Sequence, residues 1–126
     1  MAAILIIDDD AFFRGVFRRM LQSARHQVLE AEGGIEGIEA YRKHRPQLVI
    51  VDIFMPDLQG GEVIRRLKQF DPGARIIAIS GRTLFHENAD YIDTVKRQGA
   101  DAILRKLDGR DLVLAEIDRV LRLPRP

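Results

Sequence analysis

The chain has no cysteine among its 126 residues. That excludes disulfides and thiolate metal centres. A bridge-free chain fits a reducing compartment, so a cytoplasmic location is the expectation. No stretch approaches the ~20 apolar residues that cross a bilayer as a helix, so membrane insertion is not expected. The start, Met1-Ala2-Ala3, lacks the basic segment of a secretory signal, and Asp8 soon interrupts the apolar run that follows. An excess of charge of one sign is lacking too. Lys and Arg number 20 against 19 Asp and Glu, a formal net charge of +1. A whole-domain field drawing the chain to nucleic acid is therefore not expected. There is no internal repeat and no low-complexity tract.

What remains suffices for one domain with a core of its own. A chain of this size buries roughly two-thirds of its unfolded surface without staples. Charges cluster locally, at Arg14, Arg18, Arg19 and Arg25 and again at Arg65, Arg66 and Lys68. These read as solvated helix faces, with a docking surface for an acidic partner as the alternative.

Apolar runs recur at intervals suited to β-α units. Ala3 to Ile7 does not alternate, which predicts a strand buried on both faces. Phe13, Val16, Phe17, Met20 and Leu21 recur at helical spacing and predict a helix over 11–24. Residues 27–31 read as a more polar edge strand. A second helix is expected over 35–44, with Ile35, Ile38 and Tyr41 inward. Leu48 to Val51 forms the next strand, followed by helix 61–70, strand 75–79, helix 89–97, strand 102–104 and a last helix capped by Asp111. Gly99 is a helix stop. Residues 1–122 thus form the expected domain, with 123–126 as a tail or the start of a linker. Five strands alternating with five helices predict an α/β, doubly wound three-layer sandwich. Periodicity does not fix the strand order.

The strand ends carry the chemistry. Asp8-Asp9-Asp10 follows the first apolar run, Asp52 the third, Ser80-Gly81 the fourth, and Arg105-Lys106 the fifth. In open α/β sheets, ligands bind at that edge. Asp8, Asp9 and Asp52 have the oxygen donors that Mg²⁺ prefers, and Mn²⁺ is an alternative ion. Asp10 immediately precedes a helix and reads as its cap. Crowded carboxylates repel, so at least one should bind its proton more tightly than usual, with a cation and Lys106 offsetting the repulsion. Asp52 then has the makings of a nucleophile toward phosphorus. Ser80 and Lys106 suit the charge that develops on a transferring phosphoryl group.

Taken together, Ile4-Leu5-Ile6-Ile7-Asp8-Asp9-Asp10, Leu48 to Asp52 with Met55-Pro56 and Gly60, Ile79-Ser80-Gly81, and Gly99-Ala100-Asp101 leading to Lys106 make a specific set. Across essentially its whole length the chain resembles the receiver domain of two-component response regulators. The resemblance implies the flavodoxin-like, CheY-like (βα)5 fold with a five-stranded parallel sheet of order 2-1-3-4-5. It implies Asp52 as phosphoacceptor, with Asp8, Asp9 and the Phe54 backbone carbonyl joining it around Mg²⁺. Ser80 and Lys106 would bind phosphoryl oxygens, and Gly81 would keep the site open. The implied donor is a phosphohistidine on a sensor histidine kinase or a histidine phosphotransfer protein. The implied output is contact with a downstream effector protein or onward phosphate relay, and many members dimerise on phosphorylation. The receiver would catalyse only its own phosphorylation and dephosphorylation.

Three departures accompany the resemblance. Leu107 follows Lys106 where the family usually has proline. Ile103 stands where an aromatic switch residue is usual, so Ile103 and Ser80 are the switch candidates. The stretch between Ser80 and Lys106 is also longer than the family's habit. These departures leave room for a receiver-like adaptor that is not phosphorylated. A separate alternative is a receiver excised from a longer regulator, with Leu123-Pro124-Arg125-Pro126 as the linker start. A Mg²⁺-dependent hydrolase would often carry a second acid where Phe54 stands.

Overall fold

Each apolar run that opens a β-α unit forms a strand in the computed structural model, which describes residues 1–81 and 89–125. The strands are β1 (Ala3–Ile7), β2 (Gln27–Ala31), β3 (Leu48–Asp52), β4 (Ile76–Ser80) and β5 (Ala102–Arg105). All neighbours pair in parallel, in the order β2-β1-β3-β4-β5. β3 and β4 are buried at every position; their apolar runs to Val51 and Ile79 require it, and the terminal Asp52 and Ser80 are buried with them. β2 lies at the edge and is the more polar strand expected there.

The helices are α1 (Ala11–Ser23), α2 (Gly34–His44), α3 (Gly60–Phe70), α4 (Ala89–Gln98) and α5 (Arg110–Leu121). They split the core into two layers. One gathers Leu5, Ile7, Val49, Val51 and Ala78 from the sheet against Ile38 and Tyr41 of α2, Val63, Ile64 and Leu67 of α3, and Ile92 and Val95 of α4. The other gathers Ile4, Ile6, Ile50, Ile77 and Ile79 against Phe13, Phe17 and Leu21 of α1 and Val113, Ile117 and Val120 of α5. Alternate residues of one strand feed opposite layers because successive side chains point to opposite faces. Gly99, just past α4, has φ +124°, a conformation that favours glycine and ends the helix there.

Several expectations need correction. Ile38 and Tyr41 point inward as expected, but Ile35 is 55% exposed, because the buried face of α2 runs through Gly34, Gly37, Ile38 and Tyr41 and leaves it outside. Asp111 does not cap α5. Gly109 is the cap residue and Asp111 lies in the first turn, where its charge favours the helix dipole. Arg14 is not on a solvated face; it is 9% exposed. Asp10 is the cap of α1, accepting from the Phe12 and Phe13 amides at 3.0 and 3.3 Å. The loop expected after Gly81 falls at 82–88, outside the described residues.

Candidate functional site

The register sets the site. Ile7 lies opposite Val51, Asp52 opposite Ile79, and Ser80 opposite Arg105. The carboxyl ends of β1, β3, β4 and β5 therefore meet along one edge. There Asp8, Asp9 and Asp52 each offer a carboxylate oxygen, all within 4.8 Å of one another. Asp8 is 1% exposed and Asp52 5%, while Asp9 is open to solvent.

Lys106 reaches into the cluster. Its Nζ lies 2.9 Å from Asp8 Oδ2 and 3.4 Å from Asp52 Oδ2. It also stands 4.6 Å from the centroid of the Phe13 ring, whose face attracts a cation. Burial disfavours the ammonium, but Asp8 and Asp52 more than offset it and raise its pKa. The Ser80 carbonyl accepts the Lys106 amide at 2.9 Å and ties the end of β4 to the turn after β5. Ser80 is itself buried. A Cβ on Gly81 would come within 2.9 Å of Lys106 Cδ, so a larger residue there would crowd the lysine stem.

Asp52 bears the electrostatic cost. Burial first, then the Asp8 carboxylate, push its carboxyl up to about 6, against the pull of Lys106 and the Phe54 amide. That amide donates to Asp52 Oδ1 at 3.2 Å. Asp8 Oδ1 accepts from the Asp10 amide at 2.9 Å. Asp8 Oδ2 meets the Lys106 ammonium only as an ion pair; by hydrogen-bond geometry it has no partner among the described residues. An all-oxygen donor set, a carboxylate pKa raised by its neighbours and a buried oxygen with spare lone pairs together fit a hard divalent cation.

Gly60 brings the start of α3 against this loop. A Cβ there would lie 2.5 Å from the Asp52 carbonyl oxygen and 2.8 Å from Ile53 Cα. Of the remaining expected residues, Ile103 sits away from this edge, paired with Ala78 and packed against the α2–α4 layer. Leu107 projects into solvent, 84% exposed.

Two supporting residues were not legible as such. Arg14 donates to the Asp8 carbonyl at 2.7 Å and reaches Glu30 at 3.3 Å and Glu32 at 3.6 Å. It thus holds the end of β1 to α1 and β2. Its spacing from Phe17 and Leu21, three and seven residues on, was the available sign that it shares their inward stripe. Asp57, in the loop after β3, accepts from the Gly34 and Ile35 amides at 3.1 and 3.2 Å. It caps α2 from across the chain, where Gly33 has no side chain to offer. No local sequence signal reveals such a cap.

The model of the response regulator receiver domain matches residues 4–118. The chain is 35% identical to the chemotaxis protein CheY of Bacillus subtilis over 119 residues, covering 94% of this chain and 96% of that one. It is 32% identical to the response regulator MprA of Mycobacterium leprae, over 98% of this chain but only 52% of that protein. Among solved structures, a receiver domain protein from Clostridium thermocellum superposes with a TM-score of 0.87 at 26% identity, covering 96% of this chain and 94% of that one. The response regulator TrrA from Thermotoga maritima, solved in complex with Mg²⁺-BeF, superposes with a TM-score of 0.84 at 25% identity, covering 95% and 99%. With the strand order 2-1-3-4-5 and the acidic cluster at its carboxyl edge, the chain belongs to the receiver domain family of two-component response regulators.

Proposed function

We propose that this receiver takes a phosphoryl group onto Asp52 from the phosphohistidine of a sensor histidine kinase or a histidine phosphotransfer protein. Phosphorylation on aspartate is general in the family. The observation that best supports Asp52 is the buried contact of one ammonium with two carboxylates, Lys106 with Asp8 and Asp52, beside the open Asp9.

Asp8, Asp9 and Asp52 are the carboxylates we assign to Mg²⁺, with the Phe54 carbonyl as a further ligand. When bound, the cation supplies charge that neutralises phosphoryl oxygens. The chain's own residues do the rest. The Asp52 carboxylate attacks phosphorus in line with the P–N bond. The bonding pair leaves on the imidazole nitrogen, which takes up a proton, and an acyl phosphate remains. Lys106 exchanges a carboxylate oxygen for a phosphoryl oxygen without leaving its place over Phe13. The Ser80 hydroxyl takes another phosphoryl oxygen, and Gly81 keeps the approach open. The same groups serve hydrolysis of the acyl phosphate, so the catalysis is confined to the protein's own state.

The reading places the protein in the cytoplasm, with residues 1–122 as the receiver and 123–126 as a tail or linker start. Similarity to about half of a longer regulator supports the linker alternative. Output runs through contact with an effector protein or through phosphate relay.

The test is intact mass after incubation with Mg²⁺ and acetyl phosphate, wild type beside Asp52→Asn. One added phosphoryl group is expected in the wild type. It should require Mg²⁺ and be absent from the variant. Wild type that binds Mg²⁺ but takes no phosphoryl group, from acetyl phosphate or from a phosphorylated histidine kinase, would instead be the adaptor.

A further inference from the structure

Ile103 gives the fifth strand no aromatic, but α4 brings one of its own to the phosphoacceptor loop. The rings of Phe54 and Tyr91 stand with centroids 5.6 Å apart and planes at 44°. The Tyr91 hydroxyl accepts the Gly61 amide at 3.1 Å. That amide is among those a helix start leaves unpaired, and Gln59, the cap residue of α3, gives no side-chain bond. Tyr91 therefore helps to cap α3 from a different helix.

Gly61 makes this docking possible. A Cβ there would lie 2.9 Å from the Tyr91 hydroxyl and 2.6 Å from Gln98 Oε1. The preceding Gly60 admits the Asp52 carbonyl in the same way. Two adjacent glycines thus hold the main chain of Asp52 on one side and the hydroxyl of Tyr91 on the other. Phe54 closes the path, with its amide on Asp52 Oδ1 and its ring on Tyr91. The acceptor of that amide belongs to the carboxylate that phosphorylation would convert to an acyl phosphate. A conformation shifts only where a change interacts differently with its two states, and this hydrogen bond is such a place.

We propose that Tyr91 is a positioning residue, which sets Phe54 and the loop after Asp52 and thereby makes α4 the element that registers the state of Asp52. The inference rests on Asp52 as phosphoacceptor. It assigns the coupling to an aromatic on α4 in place of one on β5.

The chain has two tyrosines, Tyr41 and Tyr91, and no tryptophan. In the full chain carrying Tyr41→Phe, tyrosine emission therefore reports Tyr91 alone. Addition of Mg²⁺ with beryllofluoride should change that emission, and Asp52→Asn should abolish the change. In parallel, intact mass gives the rates of phosphoryl gain from acetyl phosphate and of its subsequent loss. Loss of the hydroxyl acceptor in Tyr91→Phe should alter at least one rate by about threefold, and loss of the ring in Tyr91→Leu by about tenfold, as expected for one hydrogen bond and then for the whole contact. Should Tyr91→Leu melt below the assay temperature, Tyr91→Phe and the emission carry the test. If wild type labels on Asp52 while the emission stays silent or Tyr91→Phe keeps both rates, the inference is overturned and the receiver reading stands. If wild type does not label at all, both fall.

Discussion

Asp52 ends β3 and Asp57 lies five residues on, in the loop that follows, and the two meet opposite electrostatic fates. Asp52 is buried, faces Asp8, and has its carboxyl pushed up to about 6. Asp57 is largely open. Burial is the largest single influence and raises its pKa, but the backbone amides of Gly34, Ile35, Leu58 and Asp57 together outweigh it and hold the carboxyl below its usual value. One carboxylate is kept against the interest of the fold; the other ties two β-α units together. The contrast separates a carboxylate whose charge the fold disfavours from one whose charge it favours, because only the first costs stability as an ion.

Perturbation of the loop after Asp52 should have the largest effect. Gly60→Ala sets a methyl group against the Asp52 carbonyl and Ile53 Cα, which are backbone and cannot rotate away. It should cost about 3 kcal/mol in chemical denaturation and sharply reduce Mg²⁺-dependent labelling. A variant as stable as wild type would show that the loop yields easily and that Asp52 is not held by it.

Asp52→Asn should do the reverse. Without divalent cation at neutral pH it should stabilise the fold by on the order of 1–3 kcal/mol, read as a higher melting temperature. The sign follows from the raised pKa. The folded state favours the protonated acid, so the contribution is complete below about pH 4 and is lost as pH rises through about 6. The difference between wild type and variant should therefore grow across that interval, and Mg²⁺ should shrink it. An asparagine variant that melts lower at neutral pH contradicts the assignment of Asp52 as a strained ion.

For Asp57→Ala the expected loss is about 1–2 kcal/mol, the worth of a helix cap. Its pH signature runs the other way. A depressed carboxyl stabilises above its unfolded pKa, and that contribution disappears as the solution is acidified through the usual carboxylate range. Matching Tm-against-pH curves for Asp52→Asn and Asp57→Ala would erase the comparison. The smallest effect belongs to Glu62, whose carboxylate bonds Arg65 and Arg66 on the open face of α3. Glu62→Gln should leave the melting temperature unchanged within error, because exposed ion pairs contribute little.

Legibility in the sequence followed the range of the interaction. The strands were readable because β1, β3 and β4 are apolar at nearly every position, which only burial on both faces explains. The Asp10 cap was readable because it lies two and three residues from the amides it serves. Ile35 was misplaced by one step of helical phase, enough to turn a side chain out of the core. Asp111 has a capping residue's chemistry, yet α5 starts two residues too early for it, with Gly109 at the cap. Arg14 looked like its solvated neighbours, and only the end of β1 and the acids of and after β2 explain its burial.

The sequence by itself determined the alternation of strand and helix, the doubly wound class and the roster of acidic, hydroxyl and ammonium groups at strand ends. Those follow from periodicity and from residue type, which are local. It also displayed the motif set by which the family is known. Only the tertiary structure decided which carboxylates crowd together, that Lys106 spans Asp8 and Asp52, that Asp57 caps a helix 22 and 23 residues away, and that Tyr91 stands on Phe54 and Gly61. Each of these depends on strand register and helix placement, which bring distant residues within a few ångströms and which no local pattern encodes.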